Sequence, residues 1–308
     1  MELNDVVRPG LMISNVEPES RKVCGGTFAV LEETMGVDFF EAYQTVEVPY
    51  ADERRRIAEV VKAKNLSMTY CVARVLNENK LDLSSLDERL RRRSVEELLP
   101  HLDDAAEQGA GAVQVISGPA EAESEKRAEQ LFQFEKSWLE LCTAAKEKGL
   151  TVLVEPLDIG ADKKKAIGKT NEVVEMAGRI CADIDNARIC LDTSHMILNG
   201  EDVISSVTAA MEYVDEFHFC NPVLDKGDPL YGDTHIRLGR PGELDVRAVG
   251  RLMVRCCEIG FFSTARRPRV FLEVRKRDES ASDLIRYCRQ SLLDGWATAR
   301  FELEDFSA

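Results

Sequence analysis

The 308-residue chain has only four histidines and two tryptophans, and aromatic residues make up 6% of it. Its nine cysteines include no CxxC pair, so the usual thiolate zinc frameworks are excluded. An odd cysteine count with no apolar segment in the polar, acidic residues 1–9 points to a reducing cytoplasm, not to a secreted disulfide scaffold. No stretch approaches the roughly 18 apolar residues of a membrane span. Positive charge is scarce: 40 Lys and Arg face 55 Asp and Glu, a formal charge of −15. Such a surface repels phosphate backbones, which argues against nucleic acid as a partner. Low-complexity tracts and short repeats are also missing.

What is present is alternation. With 44% hydrophobic and 31% charged residues the composition is that of an ordinary globular protein. The run Thr151–Val152–Leu153–Val154 leads into Glu155 and then Pro156, which cannot continue a sheet ladder. It reads as a strand buried on both faces that ends at Glu155. Three later runs share the design: Arg188 to Leu191 ends at Asp192, Val214 to Phe217 at His218, and Val270 to Leu272 at Glu273. Earlier strands are expected at Gly10–Ser14, Val37–Glu41, Leu66–Val72 and Ala112–Ile116. Helical patterns separate them; in one, residues 51–64, Ile57, Val60 and Val61 share a face. Gly109, Gly149 and Gly260 are the expected helix stops, and Asp245 the expected cap of a late helix. Residues 73–84 and 219–244 are expected as loops. Eight β–α units without a linker predict a single domain over residues 1–308, a closed (β/α)8 TIM barrel.

In such a barrel every strand's C-terminal end points to one face, the face that carries activity. One acid there is as readily a helix cap or an ion-pair partner. Glu155, Asp192, His218 and Glu273 together form an oxygen-rich, hard donor set for an octahedral divalent cation. The single imidazole favours Mn²⁺, Co²⁺ or Fe²⁺ over Mg²⁺; Mn²⁺ is the expected ion, with Mg²⁺ or Co²⁺ as alternatives. Three of the four histidines, His195, His218 and His235, lie at or beyond consecutive strand ends. His101 sits in a helical stretch and reads as structural. Lys163–Lys164–Lys165 reads as solvated charge, with the alternative that some of these lysines reach the site.

The runs Val154–Glu155–Pro156–Leu157–Asp158, Leu191–Asp192–Thr193–Ser194–His195, Phe217–His218–Phe219, residues 239–245 (GRPGELD) and Leu272–Glu273–Val274 resemble the xylose-isomerase-like barrels. The nearest resemblance is to their sugar isomerase/epimerase branch, the tagatose 3-epimerase-like enzymes. It implies a metal, commonly Mn²⁺, on Glu155, Asp192, His218 and Glu273. It also implies that Glu155 and Glu273 are the catalytic acid–base pair and that His195 binds substrate oxygen or joins the catalysis. Asn221, Asp233 and His235 complete the expected substrate contacts. Two positions depart from the branch. Leu224 stands where it has an arginine, and Ala161 where it has a glutamate, so the sugar itself is not implied.

The large subunits of bacterial C-glycoside deglycosidases resemble the chain too. They bind a metal with the same ligand set and eliminate the aglycone of 3-oxo-glycosides as carbon–carbon lyases, and by that resemblance a histidine such as His195 or His235 could be the base. That reading predicts a small second subunit; otherwise a homo-oligomer is expected, acting on a small sugar or glycoside. The pairing of residues 233–235 (DTH) with residues 241–243 (PGE) also resembles apurinic-site endonucleases. Those need three zinc ions and more histidines than four, and the net charge opposes them.

Overall fold

The computed structural model describes residues 1–305. Its strands are β1 Arg8–Met12, β2 Ala42–Thr45, β3 Ser67–Cys71, β4 Ala112–Val115, β5 Thr151–Val154, β6 Ala187–Asp192, β7 Val214–Phe219, β8 Asn221–Val223, β9 Gly232–Ile236 and β10 Arg269–Leu272. All but β8 and β9 form one closed parallel barrel in which β1 closes on β10. β8 and β9 make a separate antiparallel hairpin. The helices between the strands sheathe the barrel, giving the (β/α)8 fold. No helix of the described residues is long and apolar enough to cross a membrane.

Strand alternation explains how one sequence serves two cores. On β7, Phe217 and Phe219 point outward to the helices, where Phe217 meets Phe261 edge-on at 5.9 Å between centroids. Glu216 and His218, the alternate positions, point into the barrel and bond with other interior side chains. The barrel interior has small apolar clusters, Met12–Ala42–Phe271 and Ala112–Leu153–Cys190. Between them lie the buried polar residues Gln44, Thr69, Gln114 and Glu216. Outside, the helix Ser124–Lys146 buries Phe134, Trp138 and Leu141, and the Trp138 indole N–H donates to the Val152 carbonyl at 3.2 Å. That bond ties the helix to β5, the strand that ends at Glu155.

Register sets the mouth. Asp192 pairs with His218 across β6 and β7. The Glu155 N–H extends the ladder onto the Val115 carbonyl at 3.1 Å, and the Glu273 N–H onto the Phe219 carbonyl at 2.9 Å. All four residues therefore stand at one level on one face.

Three elements differ from the sequence expectation. The second strand is Ala42–Thr45, not residues 37–41. Asp38 takes a left-handed φ of 50°, and Phe39 and Phe40 stack edge-on and stay buried in a loop, so an apolar pair mimics a strand. Glu41 thus lies at the N-terminal end of β2, where Arg267 binds it at 2.6 Å. Ala73–Glu78 is a short helix within the expected loop 73–84. The loop 219–244 contains the β8–β9 hairpin. The expected stops at Gly109 and Gly149 take φ of 77° and 70°, and Asp245 caps its helix by accepting from the Ala248 N–H at 2.7 Å.

Candidate active site

At the C-terminal mouth, ligand atoms of Glu155, Asp192, His218 and Glu273 all lie within 4.8 Å of one another. His218 Nδ1 faces the three carboxylates: Glu273 Oε2 at 3.2 Å, Glu155 Oε1 at 3.7 Å and Asp192 Oδ2 at 3.8 Å. Its other nitrogen, Nε2, is held by Glu216 Oε1 at 3.0 Å. Glu216 also accepts from Thr69 Oγ1 at 2.6 Å and Arg269 Nε at 2.9 Å. Burial alone would raise the Glu216 carboxyl; the bonds from His218 and Arg269 outweigh it and hold the group at about 2. A carboxylate on the far nitrogen of an imidazole fixes its tautomer and strengthens it as a ligand.

This donor set fits a divalent cation. Asp192 Oδ1 caps the short helix Thr193–Leu198 by accepting from the Ser194 N–H at 2.6 Å, while Oδ2 is buried with no partner. Burial pushes the Asp192 carboxyl far above its usual range. Three carboxylates, those of Glu155 and Asp192 buried, crowd one imidazole nitrogen, and a cation among them would relieve the repulsion. Cys190 Sγ lies 3.3 Å from His218 Nε2, but burial keeps it a thiol.

Beside this cluster runs a second network. His195, three residues past Asp192, lies with Nδ1 3.5 Å from Asp158 Oδ2 and Nε2 3.6 Å from Asp233 Oδ2. Burial disfavours its charge, yet Asp158, Asp233 and Asp192 raise it to about 10. His235 Nε2 bridges Asp233 Oδ2 at 2.9 Å and Glu273 Oε1 at 3.3 Å. Its backbone has a φ of 52°, an uncommon conformation for a non-glycine residue, and Arg275 N–H holds its carbonyl at 3.0 Å. The hairpin thus carries an imidazole to the carboxylate cluster. Glu155, His195, His218, Asp233, His235 and Glu273 line one cavity of about 390 Å³.

Asn221 does not belong to it. Its amide nitrogen donates to the carbonyls of Arg237 and Gly239 at 2.9 and 2.8 Å, and its oxygen accepts from the Leu244 N–H at 2.7 Å. A Cβ on Gly242 would come within 2.2 Å of that oxygen. Asn221 is a fully buried clamp on the 237–244 turn, with no polar atom left for a substrate.

The sequence reading missed the residues that brace the acids. Gln114 Nε2 donates to Glu155 Oε2 at 2.6 Å, and Asn15 Nδ2 approaches Glu273 Oε1 at 3.5 Å. Polar residues inside otherwise apolar strands, Gln114 on β4 and Glu216 two places before His218, were the available signals. His101 lies away from the cavity, with Nδ1 3.0 Å from the Tyr70 hydroxyl.

Fold and site together define a (β/α)8 barrel with a candidate metal centre at its C-terminal mouth. Residues 29–288 match the family described as xylose isomerase-like TIM barrel, and the chain belongs to it. No curated protein matches it by sequence. Among solved structures, an L-ribulose 3-epimerase superposes with a TM-score of 0.70 at 18% identity, covering 98% of both chains. A 3-keto-D-glucoside 4-epimerase from E. coli gives 0.64 at 16%, covering 94% of this chain and 99% of the other. The IolI protein, solved with a zinc atom, gives 0.70 at 16%, covering 94% and 98%. At these identities the likeness establishes the fold.

Proposed function

We propose that the protein is a divalent-metal-dependent isomerase or epimerase of a keto-sugar. The observation that carries this reading is the unpartnered, buried Asp192 Oδ2 facing His218 Nδ1 and two further carboxylates. When bound there, a cation of the Mn²⁺, Co²⁺ or Mg²⁺ type supplies Lewis acidity that stabilises the charge developing beside a carbonyl. Glu155 and Glu273 are the proton carriers. Gln114 fixes one of them, and His235 and Asn15 fix the other. One carboxylate removes the proton next to the carbonyl, and the other returns a proton to the opposite face or the neighbouring carbon. His195, held between Asp158 and Asp233, donates to a substrate oxygen. The likeness to an L-ribulose 3-epimerase and a 3-keto-D-glucoside 4-epimerase supports the same chemistry.

One observation favours a second reading. His235 is an additional imidazole lining the cavity, 3.3 Å from Glu273, and an elimination from a 3-oxo-glycoside would use such a group to carry the proton. The test separates the two. Metal-loaded protein is incubated in D₂O with free ketoses and with 3-oxo-glycosides. Deuterium entering a ketose beside its carbonyl supports the isomerase or epimerase. Aglycone release without exchange in ketoses supports the lyase. Neither, with no metal retained, overturns both.

A further inference from the structure

Of the three consecutive lysines, only Lys164 is exposed, with a φ of 50°; Lys163 and Lys165 on either side of it line the cavity. The loop that carries them is built, not loose. The Asp158 carboxylate accepts from the N–H groups of Ala161, Asp162 and Lys163 at 3.0, 2.6 and 3.1 Å. The Lys165 N–H donates to the Asp158 carbonyl at 3.0 Å, and the Ala120 N–H to the Lys164 carbonyl at 2.8 Å.

The two inward lysines differ in what neutralises them. Lys163 Nζ meets Asp162 at 3.0 Å and Asp233 at 3.3 Å. Among the described residues Lys165 Nζ meets only the neutral Asn77 amide, at 3.1 Å. Asp82 acts on it through charge alone, its Oδ1 already accepting from Ser84. Arg275 lines the same cavity, is exposed, and its guanidinium makes no hydrogen bond or ion pair among the described residues. Arg74, also in the lining, shares Glu78 with Arg21, each at 3.5 Å. The cavity's acids, Glu155, Asp233 and Glu273, are already engaged with histidines. In a chain of net charge −15, a cavity edged by such cations is a specific feature.

We propose that Lys165 and Arg275 form an anion subsite in this cavity, and that the substrate is a keto-sugar bearing a phosphate or carboxylate remote from its reacting carbonyl. The placement of the reacting end rests on the enolisation reading above; the anion subsite does not.

The test therefore has a binding arm and a turnover arm. Calorimetry on metal-loaded protein compares ribulose 5-phosphate with ribulose, and tagaturonate with tagatose, so that the two pairs distinguish phosphate from carboxylate. The expected result is binding about tenfold or more tighter for one anionic member, and loss of that preference in both Lys165→Gln and Arg275→Gln. In D₂O exchange the same preference is expected, chiefly in KM. Anion preference lost on substitution, without exchange in any sugar, keeps the subsite and removes the enolisation reading. Equal binding of charged and neutral sugars, or a preference that survives both substitutions, overturns the subsite even if neutral ketoses exchange.

Discussion

His218 Nε2 and Glu216 Oε1 lie 3.0 Å apart although the two residues are alternate neighbours on one strand, both facing the barrel interior. The carboxylate fixes which imidazole nitrogen is free to face the acids. Glu216→Gln preserves the shape but weakens that hold. It is expected to cut metal affinity about 10- to 100-fold, measured by chelator competition. Unchanged affinity would mean that Glu216 serves only the barrel interior.

Metal binding should stabilise the fold. Mn²⁺ at about 100 times its Kd is expected to add about 2.7 kcal/mol, visible as a rise in Tm that a chelator reverses. Asp192→Asn, which removes the charge of a carboxylate whose Oδ2 has no hydrogen-bond partner, should abolish most of that rise.

Glu155→Gln and Glu273→Gln should each slow deuterium exchange by about 10² to 10⁴-fold, with near-native circular dichroism. Retention of full exchange in either variant would remove that residue from the acid–base pair.

The His195–Asp158 pair predicts a pH-dependent stability. His195 is raised to about 10, so its contribution is complete below its ordinary value near 6.5 and is lost as pH rises through 10. Asp158 is lowered to about 2: burial would raise it, but His195 and the N–H groups of Lys163 and Asp162 prevail. Its contribution is present above about 4 and is lost as pH falls through 2. The Tm difference between the wild type and His195→Gln should be largest from pH 4 to 6.5 and shrink towards 10. A difference independent of pH would assign His195 a packing role alone.

Trp138→Ala should cost about 3–5 kcal/mol in denaturant unfolding, because it empties a fully buried site and frees the Val152 carbonyl on the strand before Glu155. A loss below about 1 kcal/mol would show that β5 does not depend on that helix.

The barrel was legible because each strand must bury both faces, which leaves a short apolar run, and because four of the runs stop at Glu155, Asp192, His218 and Glu273. That rule also explains the failure at residues 37–41. Phe39 and Phe40 are buried in a loop, and burial alone does not distinguish a loop plug from a strand. Asn221 misled for another reason. Its type and its place beside the His218 strand suit a ligand contact, but its amide is consumed by three backbone groups of the 237–244 turn, which no local pattern announces.

The sequence by itself determined the (β/α)8 architecture and which four residues end neighbouring strands, since both follow from local patterns of burial and periodicity. Tertiary structure decided the rest. Only the closed register brings Asp192 opposite His218, and only the barrel interior joins Glu216 to His218, Thr69 and Arg269. Only the pinned loop turns Lys163 and Lys165 towards the cavity while Lys164 faces water. Most of these contacts join residues distant in sequence, Glu216 to Thr69 and Arg269 above all, and side-chain direction there is set by packing and hydrogen bonding between elements, not by any one segment.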